Sequence, residues 1–172
     1  MLRLMLLRHA KSAWPDGVAD HDRPLAPRGE TAAPVMGRYL VREGLLPKVA
    51  LVSSARRTQE TFVLVRPMLP PHIEVRNEPA IYEAPAARLL EVLRSIEPAD
   101  TPVLMVGHNP GMEDLAHLLA GTGDGAAMDA MRRKFPTSGL AVIDFDSTRW
   151  NAVTSGSGRL ERFVTPRMLE RE

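Results

Sequence analysis

The chain has no cysteine among its 172 residues. This absence excludes disulfide bonds, cysteine-ligated metals and every thiol nucleophile, and it fits a reducing compartment, so we expect a cytoplasmic protein. Neither sign of charge is in excess, because 22 Lys and Arg nearly balance 21 Asp and Glu and the net charge is only +1. Neither nucleic acid nor a membrane surface is therefore an expected partner, and any preference for anions must come from local clustering.

Apolar runs long enough to span a membrane are missing as well. No stretch approaches the roughly 20 apolar residues of a membrane span. The apolar run at the N-terminus is interrupted by Arg3 and Arg8 and has no small-residue cleavage pattern. It therefore predicts a core strand and not a signal peptide.

Strand and helix patterns alternate along the rest of the chain. Continuous apolar runs predict buried strands at LRLMLLR, KVALVSS and PVLMVGH, with a shorter strand at IEVRN. A helix is expected from Ala32 to Glu43, SGLAVIDFD and RWNAVTS are expected to pair as a hairpin, GTGDGAAM to be a flexible connector and GRLERFVTPRMLERE a surface tail. The pattern predicts one α/β domain over residues 1–172, a three-layer α/β/α sandwich with a mostly parallel sheet and an antiparallel edge strand.

Basic side chains lie at the ends of the three long predicted strands. Arg8 and His9 lie at the end of the first, Arg56 and Arg57 just after the second, and His108 at the end of the third. Because the carboxyl ends of parallel strands meet at one edge of a sheet, we expect these groups to converge. Arginine presents a planar fork that matches phosphate oxygens, and a phosphate monoester carries a charge of about −1.5 to −2 near neutrality. The strand ends therefore predict a phosphate site.

A histidine beside two arginines indicates chemistry in addition to binding. Neutral imidazole is a nucleophile that can accept a phosphoryl group, and adjacent cations lower its pKa from about 6.5. We therefore expect His9 to be neutral and nucleophilic, and His108 to be protonated and to donate to the transferred oxygens.

Three motifs together resemble the histidine phosphatase superfamily: LLRHAKSAW, LVSSARRTQET and MVGHNPGMEDLA, in this order along nearly the whole chain. DHDRPLAPRGE and FPTSGLAVIDFD are most similar to its SixA-type phosphohistidine phosphatases. The chain departs from the usual opening motif, because Ala10, Lys11 and Pro15 replace a Gly, a Glu and an Asn. The replaced Asn is a usual phosphate contact.

The resemblance implies a phosphohistidine intermediate on His9, with Arg8, Arg56, His108 and Asn109 binding the phosphoryl group and with no metal or organic cofactor. It implies a phosphatase for phosphohistidine on a protein, with a small phosphate ester as the alternative substrate and a phosphoglycerate mutase as a weaker alternative. Glu83 is the best-placed general acid along the chain, ahead of Glu78, Asp16 or solvent. Arg57 is interpreted as a solvated neighbour or a partner for Glu60.

Two other patterns suggest different chemistry. VIDFDST fits the D-x-D-x-T motif of haloacid dehalogenase phosphatases, with Asp144 as the nucleophile, but no lysine follows Lys134. A metal site from His9, His21, His108 and His117 lacks the H-E-x-x-H spacing, and the interleaved arginines would repel a cation. We expect neither, and we place His21 at the pocket rim or on the surface.

Overall fold

Seven strands form one sheet within residues 1–171, the part of the chain that this computed structural model describes. The sheet order is β3-β2-β4-β1-β6-β7-β5. The strands are β1 (Leu2–Arg8), β2 (Val49–Ser53), β3 (Glu74–Glu78), β4 (Val103–Gly107), β5 (Ala120–Gly123), β6 (Leu140–Phe145) and β7 (Gly158–Val164).

Most neighbouring strands are parallel. β1, β2, β3 and β4 run in one direction, and β7 and β5 are parallel to each other. β6 is antiparallel to both of its neighbours, β1 and β7. The mostly parallel α/β architecture is thus confirmed, and two further strands extend the sheet beyond the antiparallel one.

Helices cover both faces of the sheet. They are α1 (Pro27–Arg42), α2 (Arg56–Val65), α3 (Ala86–Arg94), α4 (Gly111–Leu119), α5 (Gly125–Arg133) and α6 (Pro166–Leu169). One core packs α1 and α2 against side chains such as Met5, Val52 and Val106. The other packs α3, α4 and α5 against alternate residues of the same strands, such as Leu4, Leu51 and Met105. No helix of residues 1–171 is long and apolar enough to cross a membrane.

Helix α1 begins five residues earlier than the sequence pattern predicts. Pro27 occupies its first turn, where a missing N–H costs nothing, and Pro34 lies inside the helix. An internal proline costs about 3 kcal/mol. Met36 and Leu40, both fully buried in the core, offset that cost.

The C-terminal third differs most from the sequence prediction. RWNAVTS is not the hairpin partner of β6, because the partner is β7, formed by the segment expected to be a surface tail. The expected flexible connector contains β5 and the start of α5. Its glycines allow close contact, since a Cβ on Gly121 would lie 2.1 Å from the Gly156 carbonyl oxygen. The strand is therefore specified by close backbone packing and not by apolar side chains.

The sheet order places three strand ends side by side. β2, β4 and β1 are adjacent and parallel, so Ser53, Gly107 and Arg8 end at one edge. The segments that follow these residues carry His108, His9 and the first turn of α2.

Candidate active site

His9 is the residue immediately after β1, and its side chain is only 6% exposed. Its backbone N–H donates to the Gly107 carbonyl at 3.0 Å, which ties it to the end of β4. Its Nδ1 lies 2.7 Å from the Ala10 carbonyl oxygen. Because a carbonyl only accepts, this contact assigns the proton of neutral His9 to Nδ1 and leaves a lone pair on Nε2.

The environment of His9 disfavours its protonated form. Burial lowers its pKa to about 4, and the charges of Arg8, Arg57 and Arg23 act in the same direction. The hydrogen bond to Ala10 opposes this shift only in part. At neutral pH, His9 is therefore an imidazole with its Nε2 free, as the sequence predicts.

His108 follows β4, and its ring centroid lies 5.3 Å from that of His9. Its Nε2 lies 2.7 Å from the Ser53 hydroxyl, whereas its buried Nδ1 has no hydrogen-bond partner within residues 1–171. Burial lowers the pKa of His108 to about 3, with His9 and Arg57 contributing. The expectation that His108 is protonated is therefore wrong for the ligand-free protein, because the strand-end pattern does not show how deeply this ring is buried.

The two arginines of α2 have opposite surroundings. Arg56 is exposed, and its Nε donates to Glu60 at 2.8 Å, one helical turn away. Arg57 is 6% exposed and lowers the pKa of both His9 and His108. The structure therefore corrects the sequence assignment: Arg57 belongs to the site, and Arg56 is the solvated partner of Glu60.

Arg57 is fixed by Asp20 from a distant loop. Its Nη1 donates to the Asp20 carbonyl at 2.8 Å and its Nη2 to the Asp20 carboxylate at 3.1 Å. The Tyr82 hydroxyl donates to the same carboxylate at 2.5 Å. This bond and the adjacent Arg57 and Arg23 lower the pKa of Asp20 to about 2, whereas burial and Asp20 raise that of Tyr82. Asp20 therefore stays anionic and orients the guanidinium.

Arg8 and Asn109 converge on one carbonyl group. Arg8 Nη1 and Asn109 Nδ2 donate to the Phe135 oxygen at 3.1 and 2.9 Å. Asn109 Nδ2 also lies 3.3 Å from a Glu113 carboxylate oxygen. Phosphate oxygens need donors, and the amide donors of Asn109 already have acceptors. The predicted phosphate contact of Asn109 is therefore not available in this arrangement, and Asn109 instead shares the Phe135 carbonyl with Arg8.

Several buried polar atoms around the two histidines lack partners. Within the described part of the chain they are Arg8 Nε, Arg57 Nε, His108 Nδ1, Asn109 Oδ1 and Ser138 Oγ. An unpaired buried donor costs about 1–3 kcal/mol. Two of the five belong to Arg8 and Arg57, cations whose charges lower the pKa of His9, so the surroundings of His9 favour an anion.

The candidates for the general acid lie further out. Glu83 is exposed, has a left-handed backbone with φ of 55°, and acts with Asp20 to raise the pKa of Tyr82. The side chain of Glu78 accepts from the Ala80 N–H and caps a short turn, and Asp16 is exposed. His21 lies at the rim, with its Nε2 2.9 Å from the Ser54 hydroxyl and its ring 4.7 Å from that of Tyr82.

Asp144 and His117, which belong to the two competing patterns, have other partners. Asp144 is buried and accepts two hydrogen bonds from Arg3, at 2.7 and 2.9 Å. Arg3 lies near the beginning of β1, whereas His9 follows the other end of that strand. His117 is exposed on α4 and its ring faces the Met131 carbonyl at 3.4 Å. No group of three or more His, Cys, Asp or Glu within residues 1–171 is arranged to hold a metal ion.

Acidification tests the burial of the two imidazoles. The unfolded chain binds protons below pH 6.5, whereas the folded chain keeps His9 and His108 neutral to about pH 4 and 3. The free energy of unfolding therefore decreases as the pH falls below 6.5, by roughly 2 kcal/mol at pH 5 for an imidazole whose pKa in the folded chain is about 4. Urea unfolding at pH 7 and pH 5 should show this loss, and His108→Asn should lose less. An equal loss in the variant would contradict the burial argument.

Comparison with known proteins gives a consistent family. Residues 4–86 match the family model of the histidine phosphatase superfamily (branch 1). An uncharacterized protein of Mycobacterium tuberculosis is 39% identical over 166 residues, 94% of this chain and 100% of that protein. A crystal structure from Agrobacterium tumefaciens, provisionally assigned as the phosphohistidine phosphatase SixA, is 30% identical with a TM-score of 0.81, over 96% of this chain and 98% of that one.

A more distant structure shares the fold alone. A mycobacterial glucosyl-3-phosphoglycerate phosphatase in complex with VO3 is 17% identical, with a TM-score of 0.62 over 93% of this chain and 97% of that one.

Proposed function

The chain belongs to the histidine phosphatase superfamily, and we propose that it is a metal-independent phosphatase that acts through a phosphohistidine on His9, with protein-bound phosphohistidine as its substrate. The observation that carries this proposal is the free Nε2 of a neutral, buried His9 between two guanidinium groups with unpaired N–H donors. The nucleophile His9 and the cation Arg8 are adjacent at the end of β1, and α2 supplies Arg57.

In the first step, the lone pair of His9 Nε2 attacks phosphorus. The bond from phosphorus to the leaving nitrogen or oxygen breaks, its electron pair stays on the leaving atom, and that atom takes a proton. The proton on Nδ1 remains held by the Ala10 carbonyl, which supports the cationic imidazole that forms. In the second step, water attacks phosphorus, the P–N bond breaks, its electron pair returns to Nε2 of His9, and the proton that the water gives up passes to solvent.

Charge stabilisation is assigned to Arg8, Arg57 and His108. Each of the three carries a buried nitrogen without a hydrogen-bond partner, and donors held around the equatorial oxygens of a transferred phosphoryl group stabilise its transition state most. A phosphate dianion also favours the protonated form of an adjacent imidazole. His108 therefore changes from neutral in the free protein to a cationic donor once the substrate is bound.

The chemistry of the leaving group supports the proposed substrate class. Imidazole leaves easily once protonated and can take that proton from solvent, so a phosphohistidine phosphatase has little need of a buried acid. Glu83, the predicted acid, is exposed and held near Tyr82. The relative from Agrobacterium tumefaciens carries the same assignment.

Turnover assays test this proposal. The full chain would be assayed in excess chelator against a phosphohistidine protein and a panel of small phosphate esters, including 3-phosphoglycerate. We expect the highest kcat/KM for the phosphohistidine protein, with no loss on chelation. Faster hydrolysis of one small ester would assign that ester class instead, and activity restored only by a divalent metal would contradict the mechanism.

Glu83→Gln distinguishes an acid from a surface carboxylate. General acid catalysis matters in proportion to the basicity of the leaving group, so an acid at Glu83 predicts about a 10²-fold loss on alkyl phosphates. Nitrophenyl phosphate and phosphohistidine should be nearly unaffected, because neither needs that proton from the enzyme. Glu91→Gln, at an exposed position of α3, is the matched control, and equal losses on all substrates would indicate a binding or folding defect.

A further inference from the structure

A broad groove of about 1490 Å³ begins at Arg8 and runs between α1, α5 and α6. Its lining contains one carboxylate, that of Glu170. Beyond Arg8 at its inner end, six cationic side chains line it: Lys11, Arg28, Arg133, Lys134, Arg167 and Arg171. The whole chain is balanced at +1, so this concentration of positive charge is local.

The cations of the groove differ from several arginines elsewhere in having no acidic partner within residues 1–171. Elsewhere arginines form ion pairs, such as Arg3 with Asp144, Arg76 with Asp100 and Arg162 with Glu43. Within residues 1–171, none of the six groove cations has an ion pair with a carboxylate. Like charges held close together repel one another, and an anionic ligand relieves that repulsion.

The floor of the groove is apolar. Ala32 and Val35 of α1, Phe163 of β7 and Met168 of α6 line it, and Met168 is 38% exposed. The groove is also larger than the roughly 300–1,000 Å³ of common small-molecule sites. An apolar floor with a cationic rim matches a polypeptide that carries both acidic and apolar side chains.

We propose that this groove binds an acidic, partly apolar polypeptide segment of the substrate protein, adjacent to the phosphorylated side chain. The inference rests on the proposed function, because Arg8 joins the groove to the phosphoryl site. The groove supplies affinity and selectivity, and His9 supplies the chemistry.

A charge-reversal pair tests the groove. Arg28→Glu/Arg167→Glu changes two exposed residues in the first turns of α1 and α6, where an acidic residue suits the helix dipole. Arg66→Glu/Arg88→Glu makes the same charge change at exposed residues outside the groove lining. Both variants would be checked for unchanged thermal unfolding before assay.

The substrates are two synthetic phosphohistidine peptides and nitrophenyl phosphate. One peptide has Asp, Glu and Leu around the phosphohistidine, and the other has Asn and Gln in place of the acids. We expect the groove variant to lose about 10-fold or more in kcat/KM on the acidic peptide only. The control variant should retain wild-type values. Equal rates for the two peptides in wild type, or a loss shared by nitrophenyl phosphate, would overturn the inference.

A binding assay separates this inference from the proposed function. Fluorescence anisotropy with the unphosphorylated acidic peptide requires no turnover, so it reports on the groove even if the chain hydrolyses none of these substrates. We expect binding that weakens with salt and is lost in the groove variant. Absence of binding would overturn the proposed role of the groove, and so would tighter binding of a single-stranded oligonucleotide of equal charge.

Discussion

His9→Asn should abolish turnover, with a loss of about 10⁴-fold or more in kcat. Asparagine places an amide N–H near the position of Nδ1, so it can still donate to the Ala10 carbonyl. It has no counterpart of Nε2, so the nucleophile alone is removed. The measurement is steady-state hydrolysis of nitrophenyl phosphate and a phosphohistidine peptide.

His117→Asn is the matched control for His9→Asn. His117 is exposed on α4, and its Nε2 lies 3.4 Å from the Met131 carbonyl oxygen. It should retain wild-type kcat and KM. Activity in His9→Asn within about tenfold of wild type would mean that another group, or water directly, attacks phosphorus.

Arg57→Ala should lower kcat/KM by about 10²- to 10³-fold, the usual cost of one preorganised charge donor. Arg56→Ala should remain close to wild type in activity. It removes only an exposed i,i+4 ion pair, worth about 0.3–0.5 kcal/mol of stability. The adjacent positions make each variant the control for the other.

Arg57 also holds Asp20, so its loss must be separated from misfolding. Arg57→Lys retains a positive charge but cannot reproduce the two bonds to Asp20. With unchanged thermal unfolding, it should recover only part of the lost kcat/KM. Loss of activity in Arg56→Ala with a normal Arg57→Ala would restore the original sequence assignment.

The strand-end residues were predictable because each follows a long apolar run. Arg8, His9 and His108 needed only the rule that parallel strands present their carboxyl ends at one edge. For Arg56 and Arg57, the question is which of the two lies on the buried face of helix α2. Both spacings are visible in the sequence, since Arg56 is four residues before Glu60, and Arg57 is four before Thr61 and eight before Val65, both buried.

Asp20 and Tyr82 were not predictable in this way. Asp20 lies in a charged loop 37 residues before Arg57, and Tyr82 lies 62 residues after Asp20, so no local pattern joins them. β5 and β7 were missed for a related reason. Their pairing depends on glycines that permit backbone contact, and a pattern of apolar side chains does not record such contacts.

The most direct test of the mechanism is the site of phosphorylation during turnover. The chain would be mixed with a phosphohistidine peptide, quenched rapidly in base, digested, and examined by tandem mass spectrometry. A phosphoryl group on His9 that is stable in base, labile in acid and absent from His9→Asn is the predicted result. A phosphoryl group on another residue, or on His9→Asn at wild-type level, would contradict nucleophilic attack by His9.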